Sequence, residues 1–151
     1  PSAPVAGVDK GSLLSSMAAK TEAISTSQTS VAETAKAQVQ ERVKNLPSLV
    51  KVSGDYEAAG DDIFYLVSSN DITMFEMTTE AGYCYVVVVV PEAGKPVYMA
   101  AFSGSTQLAD DLTGQDVAVI DFCATSSTPV RITTSATQST VAALRVYYLA
   151  K

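Results

Sequence analysis

The spacing of apolar side chains changes near residue 50. Before it they recur at helical intervals: Leu13, Leu14, Met17 and Ala18 in "KGSLLSSMAAK", then Val31, Ala35, Val39, Val43 and Leu46 in "VAETAKAQVQERVKNL". Glu33, Lys36, Gln40 and Lys44 are left on the opposite face for water. The intervening "TEAISTSQTS" is rich in Ser and Thr, whose side chains compete for backbone hydrogen bonds, so it reads either as a loop between two helices or as a weak stretch of one. In a continuous helix the stripe runs through Leu14, Met17, Ile24, Val31, Ala35 and Val39, interrupted by Thr21 and Gln28. Leu13 to Leu46 would then span about 50 Å. Asn45 and Pro47 end the helical pattern.

After residue 50 the period is two. "DIFYLVSS" predicts a strand at 62–68 and "DITMFEMTT" one at 71–78, with Thr73, Phe75 and Met77 on one face and Glu76 on the other. Further strands fit 82–90, 97–102, 116–124, 130–135 and 141–150, separated by Gly-, Pro-, Asn- and Ser-containing turns. Seven or eight short strands with no helix between them predict a mainly β fold, a β-sandwich or jelly roll preceded by an N-terminal helical arm. The arm occupies 1–49 and the β domain 50–151.

One strand stands apart. In "CYVVVVVP", residues 84–91, Cys84, Val86, Val88 and Val90 point one way and Tyr85, Val87 and Val89 the other, so both faces are apolar. One face of a sandwich strand meets the opposite sheet. The other needs a second cover, and the arm is the nearest candidate in the chain; a partner molecule is the alternative. The arm's stripe is too thin for a stable isolated helix. It packs either across its own β domain or against another copy, with Leu14, Met17, Ile24, Val31, Val39 and Val43 as the contact residues in both cases.

Composition and charge sharpen the division. The 151 residues are 47% hydrophobic and 17% charged, with mean hydropathy +0.18, a profile that folds rather than staying disordered. The apolar run at 83–90 is far short of a membrane helix, so no membrane span is expected. Residues 1–51 carry six basic and four acidic side chains, and residues 52–151 carry four basic and twelve acidic ones. The strongly acidic β domain and the net charge of −6 argue against sequence-independent binding of nucleic acid.

The two cysteines, Cys84 and Cys123, lie on separate predicted strands. Bonded, they tie the chain across its core and close a loop of about 40 residues, stabilising by about 4 kcal/mol at the upper end. Two buried free thiols are the other reading. A disulfide implies an oxidising compartment, extracellular or in the cell envelope, the periplasm included. The opening "PSAPVAG" has no methionine, which fits removal of a signal peptide or an arbitrary boundary equally well.

Four segments, "AGYCYVVVVV", "AVIDFCAT", "STPVRITTSA" and "AALRVYYLA", resemble the later strands of secreted bacterial β-sandwich modules of the prepeptidase C-terminal type. The resemblance covers residues 60–150, leaves the arm aside, and departs from the family pattern in lacking an aspartate-rich D-x-D-x-Y strand. It implies an exported, non-catalytic accessory or binding module.

Candidate chemistry is sparse. With no histidine the commonest general base and metal ligand is missing, and Lys95 is the only lysine between residues 52 and 150, so no catalytic residues are assigned and no enzyme is expected. "LADDLTGQD" places Asp110, Asp111 and Asp116 around Gly114. That loop is either solvated charge or a calcium site built from hard oxygen ligands, the one cofactor the sequence suggests. On the last strand, if Leu144, Val146 and Tyr148 face the core, Arg145 and Tyr147 share the outer face and offer a ligand or partner contact. Two functions follow. One is a bacterial structural protein that self-assembles into a homo-oligomer through its arm. The other is a carbohydrate- or ligand-binding module using a concave sheet face or the loops of 103–115.

Overall fold

The valine ribbon lies at the centre of the larger of two sheets. The computed structural model describes residues 29–46, 52–59, 62–69 and 72–150. Among the described residues there are one helix, α1 (Thr29–Lys44), and nine strands: β1 (Glu57–Ala58), β2 (Ile63–Val67), β3 (Ile72–Thr78), β4 (Tyr83–Pro91), β5 (Val97–Ser103), β6 (Thr106–Asp111), β7 (Ala118–Cys123), β8 (Pro129–Ala136) and β9 (Thr140–Ala150). The five-stranded sheet runs β1-β9-β4-β7, with β2 also paired to β9, and the four-stranded sheet runs β3-β8-β5-β6. All of these ladders are antiparallel. The fold is a β-sandwich.

Alternation along each strand fills the space between the sheets. Tyr83, Tyr85, Val87 and Val89 of β4 and Leu144, Val146 and Tyr148 of β9 meet Phe75, Met77, Met99, Ala101, Val130 and Ile132 of the facing sheet. Tyr65 and Phe75 pack edge to face with centroids 4.7 Å apart, and the Tyr65 hydroxyl donates to Thr134 Oγ1 at 3.2 Å. That bond satisfies a phenol that is otherwise wholly buried.

The second face of the ribbon is covered by the chain itself. α1 lays Ala35, Val39, Val43 and Leu46 on Val86, Val88, Val90, Val117, Val141 and Ala143, which gives β4 nine buried residues in succession. Small side chains on both surfaces let the helix lie close, and a fully buried valine contributes about 1.5–3 kcal/mol. Polar contacts fix its position. Arg42 donates to the carbonyls of Pro91 and Asp116, Gln38 Oε1 accepts from the Ala93 amide at 3.1 Å, and Lys36 lies over the Phe64 ring, 5.1 Å from its centroid. Asn45 closes the C-terminus by returning its side-chain amide to the Glu41 carbonyl at 3.1 Å.

Two strands lie outside the runs read from sequence, β1 and β6. β1 is only two residues long. β6 occupies part of the segment expected as a loop around the paired aspartates; it is an edge strand with most of its side chains exposed, so burial left no alternating signature. Gly104, at φ 61°, makes the turn that returns the chain from β5 to β6.

Candidate functional site

On β9, Leu144, Val146 and Tyr148 are buried between the sheets, and Arg145 and Tyr147 emerge on the helix side. Arg145 holds Asp62 with two hydrogen bonds, Nε to Oδ1 at 2.5 Å and Nη2 to Oδ2 at 2.8 Å, and its Nη1 donates to the Tyr147 hydroxyl at 3.0 Å. The guanidinium also lies over the Tyr147 ring at 5.8 Å. The Asp62 hydrogen bond raises the Arg145 pKa above its ordinary value against the opposing effect of burial, with Tyr147 adding to the rise. Beside this pair a cleft of about 500 Å³ opens between helix and sheet, lined by Gln40, Val43, Lys44, Asp62, Phe64 and Arg145. Its walls combine an aliphatic stem, an aromatic ring and fixed charge.

The three aspartates offered to calcium do different things. Asp110 and Asp111 lie in β6, and Asp116 follows the Gly114 turn. Asp111 Oδ1 accepts from the Thr113 hydroxyl at 2.7 Å and the Thr113 amide at 3.2 Å, and Oδ2 accepts from the Val119 amide at 2.9 Å. Burial pushes its pKa up, but the bonds from Thr113 and Val119 outweigh that and leave it lowered. Asp110 takes a hydrogen bond from Gln107. Among the described residues no group of three or more His, Cys, Asp or Glu side chains is gathered so as to hold a metal ion. Asp111 instead bridges the two sheets at the β6–β7 edge.

Cys84 and Cys123 are bonded, with sulfurs 1.91 Å apart and Cα atoms 3.9 Å apart. The bond does not cross between the sheets, as the expectation of a tie through the core had it. The two residues are opposite one another in the β4–β7 ladder and share its outer face, because each has the same parity as the outward side chains of its strand. Cys84 is 1% exposed, whereas Cys123 is open to solvent.

Of the arm residues, Val39 and Val43 are buried on the chain's own sheet. Leu14, Met17 and Ile24, and the side chain of Val31, lie outside the described residues. Among the described residues no helix is long and apolar enough to cross a membrane.

Sequence reasoning passed over the outer face of the smaller sheet. Ile72 is 62% exposed, Met74 48% and Leu112 63%. Ile72 and Met74 stand outward on β3, opposite Ser135 and Thr133 of β8, which in turn face Tyr98 and Ala100 of β5. A small cleft of about 70 Å³ runs over this floor, with Ile72 at one wall and Tyr98 and Leu112 at the other. Tall apolar side chains thus flank a floor of Ala100, Thr133 and Ser135. At the far end Arg131 stacks over Phe102 at 5.5 Å.

No family model matches the chain, and no curated protein matches it. Solved structures resemble it over part of its length. The pre-peptidase C-terminal domain of a Bacillus anthracis collagenase is 11% identical with a TM-score of 0.49, over 57% of this chain and 87% of that one. PliG of Aeromonas hydrophila, a periplasmic inhibitor of g-type lysozyme, is 9% identical with a TM-score of 0.46, over 66% and 92%. The C-terminal CBM6 module of a laminarinase from Zobellia galactanivorans is 12% identical with a TM-score of 0.37, over 66% and 91%. What they share is the fold. At these identities and TM-scores they carry no role, ligand or partner to this chain.

Proposed function

We propose that this chain is a non-catalytic, exported β-sandwich module that assembles with further copies of itself, with the outer face of the β3-β8-β5-β6 sheet as the contact surface. The observation that carries the reading is the asymmetry of the two outer faces. α1 covers the middle of the larger sheet's outer face, with Val88 wholly buried and Val90 at 2% exposure, whereas the smaller sheet presents Ile72, Met74 and Leu112 to solvent around a shallow floor of Ala100, Thr133 and Ser135. Apolar side chains gathered on one face mark interaction sites rather than scattered surface exposure. The disulfide supports export, since such bonds persist in oxidising compartments. The chain lacks histidine, and among the described residues no acidic or cysteine cluster is arranged for metal chemistry.

The experiment is light scattering on the full chain and on a Met74→Glu, Leu112→Glu variant. The wild type is expected to have a mass several times 15.8 kDa and the variant the mass of one chain. Equal masses for the two would remove this face as the contact.

A second reading rests on the cleft beside Arg145. Its volume of about 500 Å³, its Phe64 wall and its charged rim of Lys44, Asp62 and Arg145 suit a small polar ligand such as a sugar. Glycan-array binding that is lost in Phe64→Ala would support it, and an array with no signal would set it aside.

A further inference from the structure

The disulfide lies at the rim of the larger sheet, and its two halves have different surroundings. β7 is the last strand of that sheet, paired to β4. Cys123 stands on it as an exposed residue, two positions from the exposed Asp121 on the same face. Cys84 lies one strand further in, between β7 and β9, and is 1% exposed. A thiolate attacks the disulfide sulfur that it can reach and displaces the other as the leaving group. Here the reachable side of the bond is that of Cys123.

The fold holds these strands together without the bond. β4 pairs with β9 along its whole length, and residues 84–89 pair with 118–123 of β7. Beside the sulfurs the Ala124 amide donates to the Tyr83 carbonyl at 2.8 Å, and the Gly82 amide donates to the Ala124 carbonyl at 3.0 Å. The Tyr85 and Phe122 rings join the same two strands on the inner face, with centroids 5.6 Å apart. Opening the bond removes one link among several and leaves Cys84 as a small buried thiol, a state that cysteine tolerates well.

We infer that Cys123 is a thiol-exchange site, at which low-molecular-weight thiols open the Cys84–Cys123 bond while the protein stays folded. The inference stands independently of the assembly reading. The incoming thiolate forms a bond to Cys123 Sγ as the Cys84–Cys123 bond breaks, and Cys84 Sγ leaves with the electron pair and takes a proton from water. A second thiol, or the other arm of a dithiol, then attacks the sulfur of the first, releasing Cys123 as a thiol and the reagent as its own disulfide. Two electrons pass from the reagent to the protein, which is left with one exposed and one buried thiol.

Opening in the folded state is tested by adding dithiothreitol to the native full-length protein, quenching with acid, and counting the freed thiols by maleimide labelling. The rate is expected to double when the reagent is doubled and to stay constant in urea below the unfolding transition, with the far-ultraviolet circular dichroism retained. A rate that climbs with urea would show that the bond opens only through unfolding, and would overturn the inference. Two single-cysteine variants, Cys84→Ala and Cys123→Ser, reduced, folded and exposed to oxidised glutathione, show which sulfur reacts. Glutathione is expected on Cys123 in the first, while Cys84 in the second stays unmodified until urea unfolds the chain. Modification of both at similar rates, of Cys84 alone or of neither would overturn the assignment to Cys123. Cys84→Val or Cys123→Ala replaces a variant that circular dichroism shows to be unfolded, and the urea test on the wild type holds whatever the variants do.

Discussion

Arg145 grips Asp62 through two hydrogen bonds, 2.5 and 2.8 Å long, and so fastens the middle of β9 to the residue that precedes β2. The side chains are 29% and 17% exposed, sheltered enough for a two-pronged charged pair to matter more than an ordinary surface bridge.

Arg145→Lys keeps the charge and loses the fork. It is expected to lower unfolding stability by about 1–3 kcal/mol, the range for charge-assisted hydrogen bonds, in a urea titration followed by circular dichroism. A variant as stable as the wild type would show that the pair is decorative.

The bond between Cys84 and Cys123 predicts that alkylation of the unfolded, unreduced protein finds no free thiol. Its sequence separation of 39 corresponds to a loop-entropy contribution of about 4 kcal/mol as an upper figure. Reduction should lower the melting temperature while the β4–β7 ladder still pairs the strands in the folded state. Two labelled cysteines without reduction would contradict the bond.

Asp111 makes stability depend on acid. Its folded pKa is lowered, so its contribution is fully present above the unfolded carboxylate value and is lost as the pH falls through the folded value below it. Asp111→Ala should cost about 1 kcal/mol at neutral pH, through lost bonds to Thr113 and Val119, and flatten the acid limb of the stability curve. Millimolar calcium is expected to leave the melting temperature unchanged, since the Asp111 oxygens already accept from Thr113 and Val119. A calcium-induced rise that disappears in Asp116→Ala would restore a cation to this turn.

Val39 tests how α1 is held. It is wholly buried over the chain's own sheet, so Val39→Ala should destabilise by about 1.5–3 kcal/mol. Because the contact lies within one chain, the loss should be the same at all protein concentrations. A loss that shrinks as concentration rises would mean that the helix is exchanged between subunits.

Much of this architecture was legible in the sequence because burial writes itself as periodicity. The two-faced ribbon of Val86 to Val90 required a cover on each side, and the stripe of Val39 and Val43 identified a segment able to supply one. The parity of Arg145 and Tyr147 against Leu144, Val146 and Tyr148 placed them outward. What could not be read depended on pairing between distant segments. Parity grouped Cys84 with Val86, Val88 and Val90 without saying which face meets the opposite sheet, so a tie through the core was expected, and only the β4–β7 register shows that Cys84 and Cys123 are direct neighbours in one sheet. On β3 the run Ile72, Thr73, Met74, Phe75, Glu76, Met77 has apolar residues of both parities, so alternation alone could not reveal that Ile72 and Met74 stay exposed. β6 escaped notice because an exposed edge strand has no buried face to give it a period.

Sedimentation equilibrium of the unmodified full chain, across a hundredfold range of concentration, tests self-assembly most directly. Self-assembly requires a mass that rises in steps of 15.8 kDa above that of a single chain. A mass that stays at 15.8 kDa to the highest concentration would contradict it.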